Sequence, residues 1–230
     1  GAKVFFVSDS DDTTVGPINL GSIFPADEDG VARVYTTIQA AVNAAAASRG
    51  DVVVVLPGYD HTLARNDSWN TAGIHIVGIG NGENRPTIRY AAIGDQVDVA
   101  ANYVHIKNLR FMADADSVTI GLDLDTGFGG AHVENCVFDW DSNAQNFVTM
   151  LRNGQDNAVI ENNQFRAEDT AGTQIGVLLR AGIYPTVKNN FFYGQFDSVG
   201  SAAATAAGAI AYDTTGVVSS GGNIEDNTIV

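Results

Sequence analysis

Five side chains in the middle of this 230-residue chain have types and spacing that suit chemistry: Asp114, Asp139, Trp140, Asp141 and Glu168. Asp114, Asp141 and Glu168 recur at an interval of 27 residues. In a chain that stacks on itself, equivalent positions lie roughly 4.8 Å apart. Two carboxylates about 5 Å apart suit a retaining glycosidase, with Trp140 as a platform for a sugar ring. They equally suit calcium, which takes oxygen ligands, and they equally suit polar corner loops with no ligand. A second column runs His75, His105, His132, Val159, Thr186. Three aligned imidazoles admit a transition metal or an acid-sensing role, and an exposed polar strand face is the plainer reading. Two positions further on stand Val77, Lys107, Glu134, Glu161, Lys188 and Glu225. There Lys107–Glu134 and Glu161–Lys188 are expected as cross-strand ion pairs, each worth about 0.2–1 kcal/mol.

These columns exist only if the chain repeats, and it does. One phrase is written four times: Ile106-Lys107-Asn108 followed by Phe111, Val133-Glu134-Asn135 by Phe138, Ile160-Glu161-Asn162 by Phe165, and Val187-Lys188-Asn189 by Phe192. The asparagines are spaced 27 residues apart. A fixed period of this length marks a stacked repeat, because no unit buries a core of its own. No window in the repeats carries the 3.6-residue period of a helix. Asparagine tolerates the left-handed backbone region and so suits a sharp corner. Asn108, Asn135, Asn162 and Asn189 are therefore expected to form an amide ladder at one corner, and Phe111, Phe138, Phe165 and Phe192 a stack inside. A variant, Ile224-Glu225-Asp226 with Ile229, follows after 37 residues, and a degenerate copy, Ile76-Val77-Gly78, precedes. A second apolar strand precedes each phrase, at Val97/Val99, Leu122/Leu124, Met150/Leu151 and Val177/Leu179. The expected fold is all-β: a right-handed parallel β-helix of 27-residue coils with a short N-terminal capping α-helix.

Residues 1–33 do not follow the repeat and read as an irregular or attachment segment, with one strand at Val4–Val7 and a turn rich in carboxylates at Asp9, Asp11 and Asp12. The β-helix domain spans 34–230. The capping helix is expected over residues 36–48, with Thr36 or Thr37 at its start, Ile38, Ala41, Val42 and Ala45 on one face, and Gly50 as its stop. Residues 60–72 read as a polar loop containing Trp69, and residues 201–222 as a loop bulging from one coil. Asp123 and Asp125 alternate with Leu122 and Leu124 and so are expected in solvent. The last residues, Ile229 and Val230, read as strand, whose edge more chain or a partner must cover.

The net charge of −15 excludes nucleic acid as a partner, since phosphate backbones need basic patches. No apolar run reaches about 18 residues, so no membrane helix is expected. The one cysteine, Cys136, forms no internal disulfide and reads as a small buried residue. The opening of a pectate-lyase-like β-helix is similar to Thr37-Ile38-Gln39-Ala40-Ala41 followed by Gly50-Asp51-Val52-Val53-Val54-Val55-Leu56-Pro57-Gly58. More narrowly, that stretch with Tyr59-Asp60-His61-Thr62-Leu63, Ala72-Gly73-Ile74-His75-Ile76-Val77-Gly78-Ile79-Gly80-Asn81-Gly82 and Arg85-Pro86-Thr87 resembles tailed-phage β-helix virion proteins. The resemblance covers roughly residues 34–140. It implies a non-enzymatic bacteriophage structural protein, a capsid decoration, turret or fibre component located in the virion. The partners would be capsid or other virion proteins and further copies of the chain, with a trimer as the expected oligomer.

The rival expectation is a carbohydrate-active enzyme, a polysaccharide lyase or glycoside hydrolase, or a polysaccharide-binding module. An extracellular adhesin-like β-helix is a third. β-Elimination needs a base beside calcium-binding carboxylates, yet no basic residue clusters with the acidic column in the sequence, Arg166 and Lys188 being the nearest. The Asn-Thr-Asp, Gly-His-Gly and Arg-Ile-Lys motifs of β-helix polygalacturonases are missing, and no P-loop or dinucleotide fingerprint occurs. No catalytic residue and no cofactor are therefore assigned, with calcium as the one ion the carboxylates admit.

Overall fold

The computed structural model describes residues 1–8, 14–15, 18–142, 144–167, 175–196, 208–213 and 220–230. Three parallel sheets of nine, seven and six strands wind into a solenoid. One coil shows the plan. Strand His105–Lys107 lies in the nine-stranded first sheet, and the corner at Asn108 leads to Arg110–Ala113 in the seven-stranded second sheet. Val118–Leu124 in the six-stranded third sheet follows, and the chain returns to the first sheet at His132–Glu134, one rung on. Register is kept from rung to rung: His75, His105, His132, Val159 and Thr186 pair in succession. The expected columns are therefore real neighbours.

The corner asparagines hold the conformation their chemistry favours. Asn108, Asn135, Asn162 and Asn189 have φ of 58°, 52°, 57° and 53°, and Asp226 has 52°. Asn135 Nδ2 donates to Asn108 Oδ1 at 3.0 Å, and Asn108 Nδ2 donates to the carbonyls of Gly78 and Gly80. The longer amide chain runs one residue later and inside. Asn190 Oδ1 accepts from the Asn163 backbone N–H at 2.9 Å and from Asn163 Nδ2 at 3.1 Å, and Asn227 Oδ1 does the same for Asn190 at 2.9 and 3.0 Å. Asn163 Oδ1 in turn accepts from the Cys136 N–H. This column begins apolar, with Leu109 and Cys136, and turns to asparagine at Asn163.

A second left-handed corner precedes each strand of the first sheet. Tyr103, Gly130, Asn157, Tyr184 and Gly221 have φ of 57°, 75°, 51°, 56° and 67°. A glycine follows each tyrosine because the ring covers the next rung: a Cβ on Gly130 would lie 2.4 Å from Tyr103 Cδ1, and one on Gly221 2.5 Å from Tyr184 Cδ1. Between the corners the core is continuous. The rings of Phe111, Phe138, Phe165 and Phe192 stack at successive centroid distances of 4.8 Å, nearly parallel.

The start of the solenoid differs from expectation in three ways. Val4–Val7 pairs parallel with Val52–Val55, so the chain before residue 34 supplies a rung of the first sheet. Residues 60–72 are no free loop: Asp60–Thr62 and Asp67–Ser68 begin the second and third sheets, and Trp69 is fully buried. Inward burial of the one large ring in this stretch pulls its polar neighbours into rungs. The helix is shorter than expected, Ile38–Ala44, capped by Thr37 Oγ1 accepting the Ala40 N–H at 3.1 Å. It ends early because the buried Asp51 carboxylate captures the N–H of Ala46 and of Lys3 and the Arg49 guanidinium. Its apolar face, Ile38, Ala41 and Val42, packs into the core. At the other end, Gly208–Tyr212 continues the third sheet inside the segment read as a loop, while 201–207 and 214–219 lie outside the described residues.

Phe138→Ala removes the middle of the aromatic stack. A loss of about 3–5 kcal/mol is expected, read as a lowered urea midpoint. An unchanged midpoint would mean that the rungs are not held by this column.

Candidate functional site

The outer faces of the three sheets carry three polar clusters. On the second sheet, Asp114 and Asp141 are stacked as expected, each following a residue of the pair Ala113–Trp140. Both carboxylates are engaged. Gln145 Nε2 donates to Asp114 Oδ1 at 2.9 Å, and Arg89 bridges Asp141 at 3.0 Å and Asp60 at 2.6 Å. Glu168 and Asp169 lie outside the described residues, as do Asp9, Asp11 and Asp12. Trp140 alternates inward and packs against the core, so it does not lie along the outer face as a sugar platform would.

Asp139 is the buried member of this group, with 4% exposure. Arg110 Nε donates to both of its oxygens at 2.9 and 3.0 Å, and Arg166 Nη1 stands 3.7 Å away. The expectation that no basic residue clusters with the acidic column is thus overturned for the described residues. Arg89, Arg110 and Arg166 come from different rungs, and only stacking brings them to the carboxylates. Burial pushes the Asp139 carboxyl above the ordinary value, against the pull of Arg110. The adjoining open groove, of about 420 Å³, is lined by Arg85, Arg110, Val137, Asp139, Gln164 and Arg166 together with Gly82 and Glu83. Arg85 donates to the Asn135 carbonyl at 2.6 Å. Burial, and then the guanidiniums of Arg166 and Arg110, lower its pKa.

On the third sheet Asp98, Asp123 and Arg152 pair in register. Asp123 is buried at 3% exposure, not in solvent as its alternation with leucine implied. Arg152 closes over it from the next rung, with Nε 2.8 Å from Oδ1 and Nη2 on Oδ2. Gln96 Nε2 bonds Asp98 and reaches Asp123 at 3.4 Å. Burial, with Asp123 and Asp125 nearby, raises the Asp98 carboxyl.

On the first sheet the imidazoles form a ladder. His75 and His105 approach to 3.3 Å between Nδ1 atoms, and the rings of His105 and His132 stack at 4.5 Å, 3° from parallel. Both expected ion pairs are present: Lys107 Nζ lies 2.5 Å from Glu134 and Lys188 Nζ 3.0 Å from Glu161. Lys188 is therefore bound to this face, away from the acidic column. His132 Nε2 lies 2.9 Å from Glu161 Oε1. Burial, and then the neighbouring His132, lower the pKa of His105. Burial alone would raise Glu134 and Glu161. The hydrogen bonds and charges of Lys107 and Lys188, with the histidines beside them, outweigh it and hold both carboxyls below their ordinary values. Cys136 is buried, and burial pushes its thiol up to about 12, so it is inert at neutral pH.

No family model, no curated protein and no solved structure matches this chain. The function therefore has to be read from these faces. Their common feature is that most carboxylates are already paired to a cation one rung away, as a charge ladder that fixes register requires. The ladders on the first sheet were legible from spacing. The Asp139 and Asp123 pairs were not, because arginine reaches across rungs from positions with no period of their own.

Arg110→Met leaves a buried carboxylate with Arg166 alone, and should cost roughly 3 kcal/mol. Pairing it with Asp139→Leu should restore most of that loss in chemical denaturation, and a double variant no better than the single would contradict a structural pair. Because Glu134 and Glu161 titrate lower in the folded chain than in the unfolded one, the folded state binds fewer protons. Their stabilisation is complete above the unfolded value near 4.5 and is lost as pH falls through the folded values. Glu134→Gln/Glu161→Gln should flatten the fall in melting temperature between roughly pH 5 and pH 3.

Proposed function

We propose that this chain is a structural protein of a tailed-phage virion, a rigid β-solenoid that serves as a decoration or fibre component and assembles as a trimer. The observation that carries this reading is the continuity of the ladders. Apolar, aromatic, amide and charged columns run from rung to rung, and among the described residues the paired carboxylates are spent on neighbouring cations. Such an arrangement suits a stiff scaffold better than a catalytic cleft, which keeps at least one acid or base free for its substrate. The resemblance of residues 34–140 to phage β-helix proteins points the same way.

A second reading is favoured by one observation. Arg85, Arg110 and Arg166 gather at one groove on a chain whose net charge is −15. That suits the carboxylates of an acidic polysaccharide, bound by a carbohydrate-active enzyme or binding module. Light scattering on the purified chain, with and without calcium, separates the two. The first reading expects three times the 24.1 kDa chain mass, unchanged by calcium. A monomer that takes up calcium and binds or cleaves a polyuronate would replace it with the second.

A further inference from the structure

We infer that the outer face of the first sheet holds a divalent transition-metal site built from His105, His132 and Glu134, with a metal of the zinc, cobalt or nickel type spanning two coils. One donor atom from each residue falls within 4.8 Å of the others. Two imidazoles and a carboxylate are the donor set such metals prefer, whereas calcium and magnesium prefer oxygen alone.

Three features of the ladder make this more than a chance meeting of polar groups. First, His105 Nε2 is shut off from solvent and has no hydrogen-bond partner. Its polar neighbour is Glu134 Oε1 at 3.2 Å, an electrostatic contact too poorly aligned to count as a full hydrogen bond. A buried ring nitrogen left unpaired costs free energy that a ligand would recover. Second, the other nitrogen of the same ring is engaged. With His105 Nδ1–H donating to His75 Nδ1 at 3.3 Å, the Nε2 lone pair is left for a metal. Metal-bound histidines characteristically carry this kind of outer hydrogen bond. Third, Glu134 stands between the two rings, its oxygens 3.2 Å from His105 Nε2 and 4.0 Å from His132 Nε2. Donor atoms around a tetrahedral zinc, at about 2.0–2.2 Å from the metal, sit roughly 3.3 Å apart. Because the His105 and His132 rings lie 3° from parallel, at least one imidazole must turn about its side-chain bonds for both lone pairs to meet one metal.

The groups facing the site set its strength. Glu161, 2.9 Å from His132 Nε2, is placed to become a fourth donor. Lys107 opposes the metal, because its ammonium holds Glu134, and Lys188 holds Glu161 in the same way. A bound divalent ion must displace Lys107 from the carboxylate. Affinity is therefore moderate in the native chain and rises when the lysine is removed. No bond is made to the protein beyond coordination, and the proton that His132 Nε2 shares with Glu161 must leave that nitrogen before a metal can take its lone pair.

The test is a titration of the full, untagged chain with Co2+ alone, followed by visible absorption and by calorimetry with Zn2+. Expected are tetrahedral cobalt bands at one ion per chain, and weakening by roughly tenfold or more in His105→Ala, His132→Ala and Glu134→Gln. Lys107→Ala should bind more tightly, and His61→Ala, on the second sheet, should bind as the native chain does. The Lys107 arm distinguishes this site from weak surface histidines, since loss of that lysine leaves all the imidazoles in place. Native chain that takes up no cobalt at a hundredfold excess overturns the inference. So does an isotherm that His132→Ala and Glu134→Gln both leave unchanged while circular dichroism shows them folded.

Discussion

Five successive coils of this protein, cornered at Asn108, Asn135, Asn162, Asn189 and Asp226, turn through the left-handed region at the same residue, and the phase of the strands that follow depends on that. If Asn135 failed to hold a φ of 52°, the strand after it would begin one residue early or late. A slip of one residue in a strand exchanges inside for outside. Phe138 would face solvent and Asp139 the core. The corner therefore guards the separation of the aromatic stack from the charge ladders, and the 27-residue interval is the trace of that requirement in the sequence. The second corner, at Tyr103, Gly130, Asn157, Tyr184 and Gly221, enforces the same phase at the opposite end of each first-sheet strand.

The two corners also show why part of the fold was legible and part was not. Asparagine announces a left-handed residue, so the first corner, the phenylalanine stack and the histidine column followed from arithmetic on one recurring phrase. The second corner was hidden because tyrosine does not announce one. There the conformation is tolerated where the ring lies over a glycine in the next coil, a contact that exists only after stacking. The amide chain through Asn163, Asn190 and Asn227 was hidden for a related reason. It sits beside the more regular asparagines, and its first members, Leu109 and Cys136, belong to a different chemical type. The doubled letters Asn162-Asn163 and Asn189-Asn190 were its only sign.

Charge was the hardest to read. Alternation with Leu122 and Leu124 suggested solvent exposure for Asp123, and the scarcity of basic residues near the acidic column suggested an uncompensated flank near Asp141. In the folded chain Arg152 and Arg110 each reach across one rung, 29 residues along the chain, and Arg89 across two, 52 residues along, to close those carboxylates. An arginine long enough to span two strands needs no period, so its partner is fixed by geometry that sequence spacing does not encode. The outcome is a protein with few cations, most of which are committed to holding coils in register.

The interval from Asn189 to Asp226 is 37 residues instead of 27, yet Asn227 meets Asn190 with the same two hydrogen bonds that join Asn190 to Asn163. Length can thus be added to a coil without cost to the next, provided the added residues fall away from the corner. The architecture works like a bound notebook in which the spine is fixed and the page width is free. Lineages of such a protein can exchange, lengthen or decorate one turn at a time, and a new surface can be tried on any coil while the rest of the rod remains unaltered.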